Sequence, residues 1–215
     1  MIAADAPLPA IVVAPTAGTH DHGPAHDHDV PIVLVHGFTQ SSASWGAIVE
    51  DLAGIGRPII AVDLPGHGVT DPDLDGSDLS ESAALLGATT GRAVYVGYSM
   101  GGRTALRLAL DRPDLVEALV LIGATAGIDG SEARAARRAA DGARADHLES
   151  VGTEAFLDEW LEGSLFSGLT PTEADLDGRR ANRPAGLAAS LRHAGTGTME
   201  PPWWDDVGAL SMPVL

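Results

Sequence analysis

The sequence predicts an α/β fold: a mostly parallel sheet with helices on both faces and a helical cap inserted over one edge. Three observations carry this expectation. Short, β-branched apolar runs without polar alternation recur through the first 122 residues, as in strands buried on both faces. Helical stretches separate these runs, which suits right-handed crossovers between parallel strands. From residue 128 the alternation stops and a mostly helical stretch follows.

Residues 8–14 (Leu-Pro-Ala-Ile-Val-Val-Ala) read as a short strand. Residues 15–29 are a turn-rich, low-complexity loop holding His20, His22, His26 and His28. Imidazoles can ligate a transition metal, but nothing rigid positions these four, so a solvated loop is expected and no metal is assigned. The buried strands are Val30–Val35, Pro58–Val62, Ala93–Val96 and Leu119–Ile122, with helices over Ser44–Ala53, Ser80–Leu86 and Met100–Leu110 between them. The resulting organisation is a first core part over 1–127, a helical cap over 128–198 and a return to the core over 199–215. Ser131, Thr153 and Thr170 are expected as helix caps. Met212-Pro-Val-Leu215 reads as the opening of a further strand.

Charge and composition narrow the partners. The 215 residues carry a net charge of −17, which argues against nucleic acid and anionic membranes as partners. All 13 basic residues are arginine, and Asp outnumbers Glu by 20 to 10. A GC-rich genome and adaptation to high salt both account for that bias. There is no cysteine, so disulfides, thiolate metal sites and a cysteine nucleophile are excluded. No apolar run reaches the ~18 residues needed to cross a bilayer. The first residues lack the basic start and apolar stretch of a signal peptide. A soluble cytoplasmic protein is expected, its oligomeric state left open. With no phosphate loop or dinucleotide fingerprint, no organic cofactor is expected.

The chemistry concentrates at Gly97-Tyr-Ser-Met-Gly-Gly102, a G-x-S-x-G pattern that follows a predicted strand and opens a predicted helix. That context lifts Ser99 above the sheet at a helix N-terminus, where negative charge is favoured. His36-Gly-Phe38 ends the first buried strand. In such a turn Phe38 would supply one oxyanion-hole N–H and Met100 the other. His36, and His67 within Asp63-Leu-Pro-Gly-His-Gly68, are read as structural. Trp203 and Trp204 are read as packing.

These three motifs, in this order and spacing, resemble the α/β-hydrolase fold. The chain more specifically resembles the 2-succinyl-6-hydroxy-2,4-cyclohexadiene-1-carboxylate synthases of menaquinone biosynthesis, over about residues 30–215. The supporting segments are His36–Trp45, Ser99-Met-Gly-Gly-Arg103, Glu132–Asp141, Phe156-Leu-Asp-Glu-Trp160 and Asn182–Arg192, continuing into Gly195-Thr-Gly197.

The resemblance implies a carbon–oxygen lyase that eliminates pyruvate from a small anionic substrate bearing several carboxylates. By that resemblance Ser99 is the triad serine, and Tyr98, Arg103, Arg137, Trp160 and Arg179 bind substrate. Arginine forks pair bidentately with carboxylates. A protein at −17 needs such cations gathered locally to accept a polyanion. Arg103 lies one turn beyond Ser99, and Arg134, Arg137 and Arg138 share one helix face. For Arg134 and Arg138 a solvated face or a structural ion pair is the favoured reading.

The resemblance also implies a triad in the order Ser, acid, His, with acid and His placed after the strand that begins at Met212. The 215 residues are therefore expected to be part of a longer enzyme lacking the last strand or strands, unstable and inactive alone. An ester or amide hydrolase, and a non-catalytic binding module that kept the pocket, are the alternative readings.

Overall fold

The structure, a computed structural model, describes residues 6–14, 30–168, 170 and 172–215. The four-histidine loop lies outside the described residues. Among the described residues five strands follow one another: β1 (Ala10–Val13), β2 (Ile32–Val35), β3 (Ile59–Val62), β4 (Ala93–Tyr98) and β5 (Val116–Ile122). They form one sheet in the order β1-β3-β2-β4-β5. β1 is antiparallel to β3, and every other pairing is parallel.

Side chains alternate across the pleat, so each central strand feeds both faces. Val33, Val35, Ile60, Val62 and Tyr95 pack beneath α2 (Leu79–Thr90) and α3 (Met100–Asp111). Ile32, Leu34, Ile59 and Ala61 face the other way, against Trp45 and α1 (Gly46–Leu52). This two-sided burial is why the runs are continuously apolar. α2 starts in a capping box: Asp78 accepts from the N–H of Ser80 and Glu81, and Glu81 accepts from Asp78 N–H at 3.0 Å.

The chain passes from β2 through α1 to β3, then crosses back through α2 to β4 on the other flank of β2. The strand order thus reverses between β2 and β4, and ligands bind such sheets at the carboxyl ends of the strands beside that reversal. The register pairs Val35 with Gly97. The loops carrying Phe38 and Ser99 therefore leave the sheet side by side.

Where a further strand was expected to open, the chain makes an isolated parallel bridge beside β5: Leu119 N–H donates to Pro213 at 2.9 Å, Leu215 N–H to Leu119 at 3.0 Å, and Val214 pairs with Leu119.

Three longer helices cover the carboxyl ends of the strands: α4 (Ser131–Leu161), α5 (Glu173–Arg180) and α6 (Pro184–His193), together called the cap below. Leu148, Phe156, Leu187 and Leu191 form its core, and Phe38 and Trp160 pack against that core. The expected caps need correction. Gly130, not Ser131, is the N-cap of α4, and Thr172, not Thr170, caps α5 by accepting from Asp175 N–H at 3.2 Å. Thr153 follows a break in α4 at Gly152 (φ 82°, ψ 167°), and its hydroxyl donates to the Asn182 carbonyl.

A short α7 (Trp204–Val207) follows the cap. Trp203 is buried beneath the Arg107 guanidinium, 5.2 Å from its ring centre. Trp204 is half-exposed, with its indole N–H on the Gly127 carbonyl, so it is less a packing residue than expected. No helix among the described residues is long and apolar enough to cross a membrane.

Candidate active site

Ser99 occupies the sharp turn between β4 and α3, with φ 51° and ψ −108°. Such a conformation is costly for a residue with a Cβ and persists where its surroundings enforce it. Here the turn is closed by Ser99 N–H on the Ile122 carbonyl (2.8 Å) and Arg103 N–H on the Ser99 carbonyl (3.1 Å). Gly97 is required by contact: a Cβ there would lie 2.6 Å from the Gly101 carbonyl oxygen and 2.6 Å from Gly102 Cα. Gly101 in turn abuts the backbone carbonyls of Val35 and His36. The Ser99 hydroxyl has no hydrogen-bond partner among the described residues.

Phe38 follows β2 in a turn closed by Gln40 N–H on the Gly37 carbonyl (3.2 Å) and Gly37 N–H on the Gln40 side chain (3.0 Å). The N–H groups of Phe38 and Met100 donate to no acceptor among the described residues. Met100 also heads the 12-residue α3, whose N-terminus favours negative charge. Beneath them the two motif histidines are structural. His36 accepts from Leu64 N–H at 3.0 Å, so its other nitrogen carries the proton given to the Gly37 carbonyl. Burial keeps both rings neutral, with His67 pushed down to about 3 by burial and by His36. Asp63 holds Ser42 N–H (2.7 Å) and Val69 N–H (3.1 Å).

Above Ser99 lies a cavity of about 380 Å³ between the sheet and the cap. Six of the expected site residues line it: Ser99, Met100, Phe38, Arg103, Arg137 and Trp160. Arg103 is 7 % exposed. One terminal nitrogen donates to the Ala194 carbonyl at 3.1 Å, while its Nε is buried with no partner among the described residues. Burial, and then the charge of Arg137, pull this guanidinium down to about 10, with Asp141 opposing them. Trp160 likewise buries an unpartnered indole N–H. Its ring packs edge-on against Phe38 at 5.4 Å and stacks on Phe156 at 5.9 Å.

The expected arginine face of α4 divides. Arg134 bonds the Ile128 carbonyl before α4 and Glu200 after α6, and Arg138 bonds Gly197 and Glu200, the ion-pair alternative of the reading favoured for them. Arg137 turns to the cavity. Asp141, which the sequence reading did not single out, is 1 % exposed and accepts from Arg137 Nε (2.7 Å) and Arg144 (3.0 Å). An arginine with an aspartate four residues later was the available signal. Ser190 and Thr196 complete the polar wall.

Tyr98 and Arg179 are not brought to this wall. They line a second cavity of about 530 Å³ beside Trp45 and Phe166. The reason for Arg179 is local: its Nε is taken by Asp175 (2.7 Å) and a terminal nitrogen by the Thr39 hydroxyl (2.6 Å). Among the described residues no histidine lines the Ser99 cavity.

Comparison with known proteins agrees with this geometry. The profile of the alpha/beta hydrolase fold matches residues 30–182. A Bacillus subtilis (strain 168) protein, provisionally assigned as a 2-succinyl-6-hydroxy-2,4-cyclohexadiene-1-carboxylate synthase, is 36% identical over 209 residues, 91% of this chain and 74% of the relative. The synthase of that name from Salmonella typhimurium is 27% identical, over 89% of this chain and 77% of its own. The solved structure of MenH from S. aureus superposes with a TM-score of 0.81 at 26% identity, covering 95% of this chain and 77% of that one. The chain belongs to the α/β-hydrolase fold family and is similar, within it, to the 2-succinyl-6-hydroxy-2,4-cyclohexadiene-1-carboxylate synthases.

Proposed function

We propose that the protein is a lyase of menaquinone synthesis that eliminates pyruvate from a cyclohexene intermediate bearing several carboxylates. The observation that carries this reading is that Ser99, Arg103 and Arg137 share one cavity, with the buried Arg103 Nε left without a partner among the described residues. A buried guanidinium with an unused donor is costly unless a ligand completes it. A carboxylate completes it best, because it accepts the guanidinium fork in two parallel bonds.

In this reading the arginines bind and orient. Arg103 and Arg137 hold carboxylates of the substrate, and Trp160 lays its ring on the substrate's apolar side. A base removes a proton from the carbon next to a carbonyl, and the electron pair spreads onto that carbonyl oxygen. As the pair returns, a carbon–carbon double bond forms and the carbon–oxygen bond to the three-carbon group breaks. That group leaves as an enolate and takes a proton to become pyruvate. The N–H groups of Phe38 and Met100, with the Ser99 hydroxyl, stabilise the oxyanion while it carries charge. No acyl-enzyme is required.

The similarity to relatives named as synthases supports the same assignment. A hydrolase of neutral esters would use the same elbow and oxyanion donors but has no use for a buried arginine. The test supplies the protein, isolated as its source makes it, with the cyclohexene polycarboxylate and with a neutral p-nitrophenyl ester. Pyruvate release with kcat/KM far above that for the ester is expected. Ester cleavage with no pyruvate would overturn the lyase reading in favour of a hydrolase, and binding without turnover of either would favour a non-catalytic module.

A further inference from the structure

Thr39 is an unusual residue for its place. It follows Phe38 in the Gly37–Gln40 turn and has φ 67°, a left-handed conformation that such a turn position normally gives to Gly or Asn. For a β-branched residue this is an outlier that its surroundings must hold in place. Thr39 is fully buried, and two side chains from the cap grip it. Asn182 Nδ2 donates to the Thr39 carbonyl at 2.8 Å, and Arg179 donates to the Thr39 hydroxyl at 2.6 Å.

Both gripping residues are themselves fixed. Asn182 is 3 % exposed; its Oδ1 accepts from Gly68 N–H at 2.7 Å, and its Nδ2 also donates to the Arg179 carbonyl. Its own carbonyl accepts from Thr153 on α4 at 3.0 Å. Arg179 is anchored by Asp175. One buried asparagine thus joins the Phe38 turn, the Asp63–Gly68 turn and two cap segments.

The consequence falls on Phe38. On its amino side Gly37 is tied to Gln40, and on its carboxyl side Thr39 is tied to the cap. The Phe38 N–H shares a peptide plane with the Gly37 carbonyl, which accepts from Gln40 N–H and His36 Nδ1, and the turn carrying that plane is closed with Thr39 in its left-handed conformation. We infer that Asn182 and Arg179 are positioning residues which, through Thr39, aim the Phe38 N–H at the oxyanion site above Ser99. This rests on the reading above that the Phe38 N–H stabilises charge formed during turnover. It gives Arg179 a role in the cap–turn contact in place of the carboxylate contact expected of it.

The test uses Asn182→Asp and Thr39→Val. Asn182→Asp keeps the acceptor for Gly68 and removes the donor to Thr39. Thr39→Val removes the hydroxyl that Arg179 grips, so it decides the matter should Asn182→Asp fail to fold. Two quantities are read: kcat and KM for whichever turnover the unaltered protein shows, and hydrogen exchange of the 36–41 backbone. A well-placed oxyanion donor is worth about 100-fold or more in rate, so a misaimed one should lower kcat about 10- to 100-fold. KM should move less than about threefold, because Arg103 and Arg137 are untouched. Thr39→Ser, which keeps the hydroxyl, should recover most of what Thr39→Val loses. Exchange over 36–41 should quicken in both damaging variants while α3 stays protected. Unchanged kcat and unchanged protection would overturn the inference. A protein without any turnover would sink the functional reading, and the exchange measurement would still decide whether the cap holds the turn.

Discussion

The buried carboxylate of Asp141 accepts a 2.7 Å hydrogen bond from Arg137 Nε, four residues earlier on α4, and leaves both terminal nitrogens of Arg137 without a protein acceptor among the described residues. Arg144 braces the same carboxylate from the other side at 3.0 Å. Asp141 therefore fixes the direction of a cation that the substrate is to meet, and its own burial makes it intolerant of losing those partners. Asp141→Asn should raise KM for the polycarboxylate about tenfold while kcat falls less. It should also lower stability by about 1–3 kcal/mol, the cost of weakening charge-assisted bonds at a buried group. Steady-state kinetics and urea unfolding check the two parts.

The elbow makes a steric prediction. Gly97→Ala places a methyl 2.6 Å from the Gly101 carbonyl oxygen and from Gly102 Cα, both backbone and unable to swing aside. β4 and α3 must then separate, with a stability loss of about 3 kcal/mol and a displaced Ser99. Thermal unfolding should show the loss, and turnover should fall below detection. A Gly97→Ala protein with ordinary stability would contradict the close contact.

The two buried histidines predict the acid limb of the stability curve. His67 is held neutral down to about 3, whereas an unfolded chain protonates it near the ordinary histidine value of about 6.5. Between these values the unfolded state binds the extra proton, so stability rises with pH and is lost as pH falls. His67 contributes a slope of about 1.4 kcal/mol per pH unit in that window. His67→Leu should make the decline from pH 6.5 towards pH 4 shallower by about that slope. Denaturant titrations at a series of pH values read it directly, and an unchanged slope would contradict a neutral His67.

Much of the sheet was legible because both-sided burial leaves no polar position in a strand: Ile32–Val35 and Ile59–Val62 are wholly buried, and both stand out as apolar runs. β5 reaches back to Val116, beyond its visible run, since Glu117 is half-buried near a sheet edge and interrupts the pattern. Ser99, Met100 and Phe38 were legible from local motifs, because a strained turn between strand and helix constrains the residues around it. The side of α3 that Arg103 takes followed from helical spacing, and its expected substrate contact from the resemblance alone. Helix starts were less legible: Thr170 and Thr172 offer the same hydroxyl two residues apart, and only backbone geometry selects Thr172. The grip of Asn182 on Thr39 joins residues 143 positions apart, and no local pattern announces such a bond. Arg179 illustrates the same limit, since its residue type suits a carboxylate clamp equally well and only its neighbours Asp175 and Thr39 redirect it.

The measurement that tests the account most directly is kcat/KM for pyruvate release by the unaltered protein and by Arg103→Met, which keeps apolar packing in the buried site and removes the charge. Losing one partner of a buried, hydrogen-bonded charge pair costs about 2–5 kcal/mol, so pyruvate release should fall by about 30-fold or more. Cleavage of a neutral p-nitrophenyl ester, where the unaltered protein shows any, should change less than about threefold, since that substrate offers Arg103 no carboxylate. An Arg103→Met protein that releases pyruvate as fast as the unaltered one would contradict carboxylate recognition at Ser99, and with it the lyase assignment.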